Sequence, residues 1–525
     1  MDPALTSSPF GLAVHLLSGG RLFIPTEYRP DFTFPGDDSI EKHAHELVQE
    51  DIQESTQATH EPILVDWYGP DDPDNPHNWP FAVKLLVYIT VNWLTFIVYM
   101  SATVFAMAED DFQEALGTTR TTTALGLALY VLGYAIGPLI WSPLSEIPSV
   151  GRNPPYLVST ACFLLISIGT ALANSVPGFM VLRFLQGFFG SPSLGTGGAS
   201  LADVTGPRNL PYAMCLWGLC AVAGPAIAPI ISGFSVPVKG WHWSMWEIVW
   251  AAAPCCIMLV FLPETSSLTI LHQRARRLRK RTGNDNFRTV AEARQKASSP
   301  LHIAYNALVV PWEINALDPA ILFTTIYLGL VYAIFYSFFE SLPLVYLGIH
   351  HMSLSQLGLI FLACLIGALV TLPFYLTFIH FVLNRSSAHP PEPETRLIPA
   401  LFGSILIPAG LFIFAWTARD STPWPVPTAG LLIEMAGTTL VIQCTLSYLS
   451  VAYPRYSASI FAMNDLARAG LAFGAILWSG PLYDGLGIAW ATTLLACLTV
   501  GCTMGMFVLY WFGGTLRRRS RFAED

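Results

Sequence analysis

Charge is what this sequence has least of. Only 12% of its 525 residues are Asp, Glu, Lys or Arg, while 53% are apolar. A soluble chain of this length needs a far more charged surface, so a soluble globular protein is excluded. The nine cysteines all fall inside apolar stretches and no pair brackets a polar loop. That argues against a disulfide framework and a CxxC metal site, and Cys255–Cys256 reads as packing. No HExxH, no GxSxG elbow and no phosphate-cradling Gly-Lys-Ser/Thr loop occurs. No folded soluble domain is evident either, so a membrane enzyme, a receptor or an ATP-driven pump is disfavoured. The net charge of −9 comes with no basic domain for nucleic acid. A first apolar stretch, near Phe10 to Ile24, is short, interrupted by Gly19 and Gly20, and lacks a basic leader, so it is not read as a cleaved signal.

What is present is a series of long apolar runs. A bilayer-crossing helix needs about 20 mostly apolar residues, because the hydrocarbon layer is about 30 Å thick. Runs of that size lie near 83–106, 121–142, 155–173, 176–200, 211–234 and 244–262. After a polar, basic stretch they resume near 318–342, 354–382, 397–417, 426–451, 456–482 and 488–512. Inside lipid every backbone polar group must bond within its own segment, so these are helices, and they are too long for barrel strands. The expected fold is an all-α membrane protein of twelve transmembrane helices. The expected domains are an N-terminal tail over 1–80, a six-helix bundle over 81–262, a basic loop over 263–317, a second six-helix bundle over 318–512 and a basic tail over 513–525. From Asp31 to Pro80 there are 13 acidic residues against one basic, Lys42, and such a tail is expected to be disordered. Six spans, a long loop and six more suggest two related halves with a site between them.

Lys and Arg fix the expected orientation. Nine lie in the 263–317 loop and four in the C-terminal tail, whereas the opposite side has Arg120, Lys239 and Arg419. The positive-inside rule then puts both termini and the central loop in the cytosol. A few charges remain inside or at the ends of spans: Arg183, Arg468, Asp203, Glu247, Glu340, Glu434 and Asp465. A charge at mid-bilayer costs about 2.5–3.5 kcal/mol even on the lenient insertion scale, so each faces the bundle interior or water.

Several motifs now meet. Gly137-Pro138 through Glu146, Gly151, Arg152 and Tyr156 follow the second run. Leu182-Arg183-Phe-Leu-Gln186-Gly187 lies in the fourth, and Gly224-Pro225-Ala-Ile-Ala-Pro229-Ile-Ile-Ser-Gly233 in the fifth. Trp241-His-Trp243, Leu262-Pro263-Glu264-Thr265, Phe339-Glu340-Ser-Leu-Pro343 and Ala452-Tyr453-Pro454-Arg455-Tyr456 come after them in order. From about Asp66 to the C-terminus the chain resembles the major facilitator superfamily, in the form of the fungal twelve-span drug:proton antiporters of the benomyl- and methotrexate-resistance type. It departs in having Asn153 where a second basic residue is common, a loop apparently two residues longer there, and Ala228 where glycine is common.

The resemblance implies two pseudo-symmetric six-helix bundles and proton-coupled efflux of a drug or toxic secondary metabolite by alternating access. The alternative on the same fold is an importer of a nutrient such as a polyamine or vitamin. Glu146 and Arg152 are then a gating latch; the alternative is a solvated surface pair contributing about 0–1 kcal/mol. Arg183 is implied in proton coupling. It cannot release its own proton, but it can act on a nearby carboxylate, and Gln186 shares its helix face. The alternative is a fixed structural ion pair. Glu434, about 12 Å into its span by helical rise, is the preferred titratable acid. Glu340 is divided between proton exchange and interface capping. Asp465 and Arg468, three apart, read as a helix-internal ion pair. With spans one, four, seven and ten around the family cavity, Asn92, Tyr99, Gln186, Tyr332 and Tyr336 are the expected substrate contacts, the alternative being helix packing. Gly224 and Gly233 permit close helix contact, while Pro225 and Pro229 bend the fifth helix. No catalytic residue, metal or cofactor is expected, the proton gradient being the driving force. The expected partners are a small amphipathic organic substrate, protons and the lipid bilayer. The chain is expected to be a monomer in the plasma membrane, with the vacuolar membrane as alternative.

Overall fold

A computed structural model describes residues 6–28, 63–292, 309–383, 392–453 and 457–522. Among them, ten helical stretches are long and apolar enough to cross a bilayer. One of these, Ile460–Arg519, holds two crossings, because Gly487 at φ 72° interrupts the helix. One more crossing is assembled from two shorter helices, Val176–Gly190 and Pro192–Val204, which meet at Ser191. With those two added to the ten, the chain crosses twelve times.

Spans one to six begin with Phe81–Thr103 and Arg120–Ile136, the latter continuing through Pro138–Glu146. Asn153–Ala171, the split fourth span, Leu210–Lys239 and Trp241–Phe261 follow. Spans seven to ten are Pro319–Pro343, Leu354–Ile360 with Leu362–Phe378, Ile398–Thr417 and Pro425–Ala452. In the first half, span one packs on five, two on four and three on six; in the second, seven packs on eleven, eight on ten and nine on twelve. The most extensive contacts between the halves are span two with eleven and span five with eight. These two exchange when six is added to each number. That is the signature of two bundles related by a pseudo-twofold axis, and the site lies where they meet.

Within residues 1–80, the described stretches 6–28 and 63–80 both contact the rest of the chain. The helix Pro9–Leu17 packs on the end of span six, with Phe10 and Phe261 ring centroids 5.0 Å apart. Ile63–Leu64 pairs in parallel with Phe287–Arg288. The central loop carries a helix, Ser267–Thr282, whose Arg274 is fully buried. Arg274 makes ion pairs to Asp72 at 2.7 Å, Asp74 at 2.8 Å and Glu27 at 3.3 Å, and lies 4.0 Å from the Tyr68 ring centre. The acidic stretch therefore finds its counter-charge in the basic loop, about 200 residues away. Residues 29–62, where most of the acidic run lies, are outside the described residues, as are Pro454, Arg455 and Tyr456.

Candidate functional site

The residues between the halves surround a small pocket. Its wall is Tyr99 of span one, Tyr134 of span two, Leu194 of span four, Tyr332 of span seven, and Asp465, Arg468 and Ala469 of span eleven. Tyr134 shares hydrogen bonds with Tyr332 and Tyr336 across the interface, at 3.0 Å each. Tyr99 meets Tyr134 edge to face at 6.0 Å. The Arg468 guanidinium lies 5.3 Å from the Tyr332 ring centre and is paired with Asp465 one turn away, while its Nε has no partner. An aromatic wall with one polar corner suits an amphipathic molecule, its faces against the rings and its polar group at the corner, once the halves separate and widen the pocket.

Of the expected contacts, Tyr99 and Tyr332 line this cavity. Tyr336 stands one layer behind, fully buried and bonded to Tyr134. Asn92 and Gln186 are not in its wall. Asn92 donates to the Tyr88 carbonyl at 2.8 Å. Gln186 is buried, accepts from Arg183 at 2.9 Å and donates to Ser167 Oγ at 2.8 Å. Tyr134, Leu194 and Ala469 were not anticipated. Asp465 and Arg468 form the helix-internal pair the spacing suggests, but that pair is also part of the wall.

Arg183 is fully buried in the first bundle. It donates to the carbonyls of Gly126 (2.9 Å), Ser101 (2.9 Å) and Ala102 (3.1 Å) and sits 4.5 Å from the Tyr130 ring centre. No carboxylate touches it. The nearest acidic influence is Glu109, which follows span one and interacts electrostatically with Arg183, Arg120 and Glu340. Glu434 lies in the core of the other bundle, beside Gly410 of span nine. One of its oxygens accepts from Thr438 at 2.8 Å and the other has no partner. The fold thus keeps Arg183 and Glu434 in separate halves.

The ends of the spans carry two further charge sites. On the side away from the termini, Arg120 of span two reaches Glu340 of span seven at 2.5 Å and Asp484 of span eleven at 3.5 Å, so an ion pair bridges the halves. On the side of the termini, Arg152 is paired not with Glu146 but with Asp203 of span four, at 2.6 Å. The Arg152 and Asn153 amides donate to Glu264 at 3.0 and 3.1 Å, so the carboxylate of the Leu262-Pro263-Glu264-Thr265 motif holds the loop. The fifth-span motif serves close approach. A Cβ on Gly224 would come within 2.7 Å of the Phe96 carbonyl, and one on Gly233 within 2.9 Å of Leu354 O in the other half. Pro225 and Pro229 are buried inside the same helix, and the Pro229 carbonyl faces Gly358 of span eight.

This chain matches the model of the Major Facilitator Superfamily over residues 91–476. It is 59% identical to the MFS-type transporter pyvG of Aspergillus violaceofuscus, covering 100% of both chains. It is 34% identical to the cycloheximide resistance protein of Candida maltosa, again over 100% of both. With fluconazole resistance protein 1 of Saccharomyces cerevisiae it shares 35% identity, covering 89% of this chain and 86% of that one. Among solved structures it is similar in fold to the Escherichia coli xylose transporter XylE in a partially occluded inward-open conformation. The TM-score is 0.58 and the identity 13%, covering 81% of this chain and 98% of that one.

Proposed function

Because the chain belongs to the major facilitator superfamily, among its fungal drug-resistance transporters, we propose that it exports a small amphipathic organic molecule in exchange for protons, by alternating access. The observation that carries this reading is the cavity between the halves. Both bundles supply its wall, and the Arg120–Glu340 pair bridges them on the side away from the termini. Breaking that bridge while closing the other side would move the access route without moving the site. The excess of Lys and Arg on the side of the termini supports a cytosolic placement of both ends, and the membrane we assign is the plasma membrane.

In this scheme Tyr99, Tyr134, Tyr332 and the Asp465–Arg468 corner receive the substrate. Arg183 is a fixed positive charge, and Glu109, Glu340 and Glu434 are the acids that exchange protons as the halves rock. One proton crossing about 100 mV supplies about 2.3 kcal/mol. Each pH unit adds about 1.4 kcal/mol. Two pH units and 100 mV together give about 5 kcal/mol, enough to hold a gradient of roughly a few thousandfold in a neutral substrate. The test is flux in a transporter-deficient yeast, followed by proteoliposomes under an imposed pH gradient. Accumulation of amphipathic toxicants should fall when the chain is expressed, and proton and substrate should move in opposite directions. Accumulation unchanged across a broad panel, or substrate moving with the protons, would refute the reading.

A further inference from the structure

The helix Pro9–Leu17 is amphipathic the wrong way round for a soluble protein. Besides Phe10, its exposed residues are Leu12, Ala13, Leu16 and Leu17, with Leu16 78% and Leu17 89% exposed. Spaced at i, i+1, i+4 and i+5, they share one face. The other face, turned to the protein, carries buried Gly11 together with Val14, His15 and Ser18, all partly covered. His15 bonds the Leu22 carbonyl at 2.9 Å, and Ser18 Oγ donates to the His15 carbonyl at 3.1 Å. A helix on a soluble surface buries its apolar stripe and shows water its polar one. This helix does the reverse, and its position explains why. Phe10 packs at a tilt against Phe261, the last residue of span six, which is itself exposed, as is Ile257 one turn deeper. The apolar face therefore continues the surface that span six presents to lipid. A bilayer is the environment in which such a face is satisfied.

We propose that Pro9–Leu17 lies in the plane of the membrane, its Leu12, Leu16 and Leu17 face inserted among the phospholipid acyl chains of the leaflet on the side of both termini. The N-cap Ser8 and the Pro9 at its first turn set the helix at that level, and the break at Gly19 (φ 63°) and Gly20 (φ 81°) turns the chain back toward the protein. Ser7, just before the helix, accepts a hydrogen bond at Oγ from the Glu264 amide at 3.2 Å. The carboxylate of the same Glu264 holds the Arg152–Asn153 loop, so the anchor fixes a support of that loop relative to the membrane. The inference depends on the fold and not on what is transported.

The experiment uses the native full-length chain in lipid nanodiscs containing a phosphatidylcholine with a diazirine in its acyl chain. After illumination, mass spectrometry should find lipid adducts on residues 9–18 as well as on the peptide containing Ile257, and none on the exposed Lys280 of the loop helix. In a Leu16→Asp/Leu17→Asp variant the adducts on 9–18 should drop at least severalfold while those near Ile257 persist. An unlabelled 9–18 segment beside a labelled Ile257, as when water or a second copy of the chain covers the helix, would overturn the proposal. So would labelling of 9–18 that the double variant leaves unchanged.

Discussion

A guanidinium sunk in a helical bundle must find acceptors, and Arg183 finds three backbone carbonyls and one amide oxygen instead of a carboxylate. The fork shape is essential to that arrangement, because a lysine ammonium is a single point on a flexible stem. Hydrogen bonds from a charged group contribute about 1.5–3 kcal/mol each, and 1.4 kcal/mol is tenfold. Arg183→Lys should therefore lower export more than tenfold while membrane abundance is kept, as read by efflux rate normalised to surface protein. Arg120 is a different case. Its side chain is about half exposed (48%), so its pair with Glu340 contributes only about 0–1 kcal/mol. Arg120→Gln should move the balance between access states by about fivefold or less toward the opening away from the termini. Labelling of a cysteine placed at Tyr336 with a membrane-impermeant reagent from that side would measure it. The exchange Arg120→Glu with Glu340→Arg should bring labelling back down; if it does not, the pair is not the latch.

At the scale of elements, the contact between spans five and eight leaves no room for a side chain. A Cβ on Gly358 would stand 2.5 Å from the Pro229 carbonyl in the other half. Gly358→Val should disfavour the docked arrangement and raise the same Tyr336 labelling, without the loss of folded protein that a clash inside one bundle would cause. The segment 63–80 invites a pH test. Burial raises the Asp72 carboxyl, but the hydrogen bonds and charge of Arg274 outweigh it and hold it below its ordinary value. A depressed carboxylate stabilises its contact fully above the unfolded value, about 3.9, and loses that contribution as pH falls through the folded one. Proteolysis of 63–80 in detergent should thus be slow at pH 5–7 and accelerate below about pH 4. Arg274→Ala should release the segment at neutral pH as well, since stripping one partner from a buried pair costs about 3–5 kcal/mol. How much of this was legible follows from the range of each interaction. The spans could be read because lipid imposes length and polarity locally, and Arg183, Glu434 and Tyr332 stood out by rarity or by four-residue spacing. Tyr134 could not be picked out as a wall residue, because which face of span two meets the other half depends on docking of the halves. The clamp on Arg274 was hidden for the same reason, its acids lying about 200 residues away.

For the whole molecule, the pairing of two with eleven and five with eight joins the halves by contacts that exchange under the pseudo-twofold axis. In the proposed scheme the halves rock about the central tyrosines, and rocking alone sets no direction. Under the proposed exchange, direction comes from the protons that cross with each cycle, so the proton gradient and the substrate gradient limit each other. With about 100 mV and two pH units, the ceiling is roughly a few thousandfold for one proton per neutral molecule. If the pH difference alone is collapsed, about 2.3 kcal/mol remains, and the ceiling falls to about fiftyfold. Proteoliposomes clamped with a potassium diffusion potential and varied pH can read both plateaus directly. A plateau that follows the electrical and chemical parts together identifies exchange for a proton. One that ignores the pH difference means that no proton is exchanged for substrate, and Arg183, Glu109, Glu340 and Glu434 would then be structural charges in a carrier driven by something else.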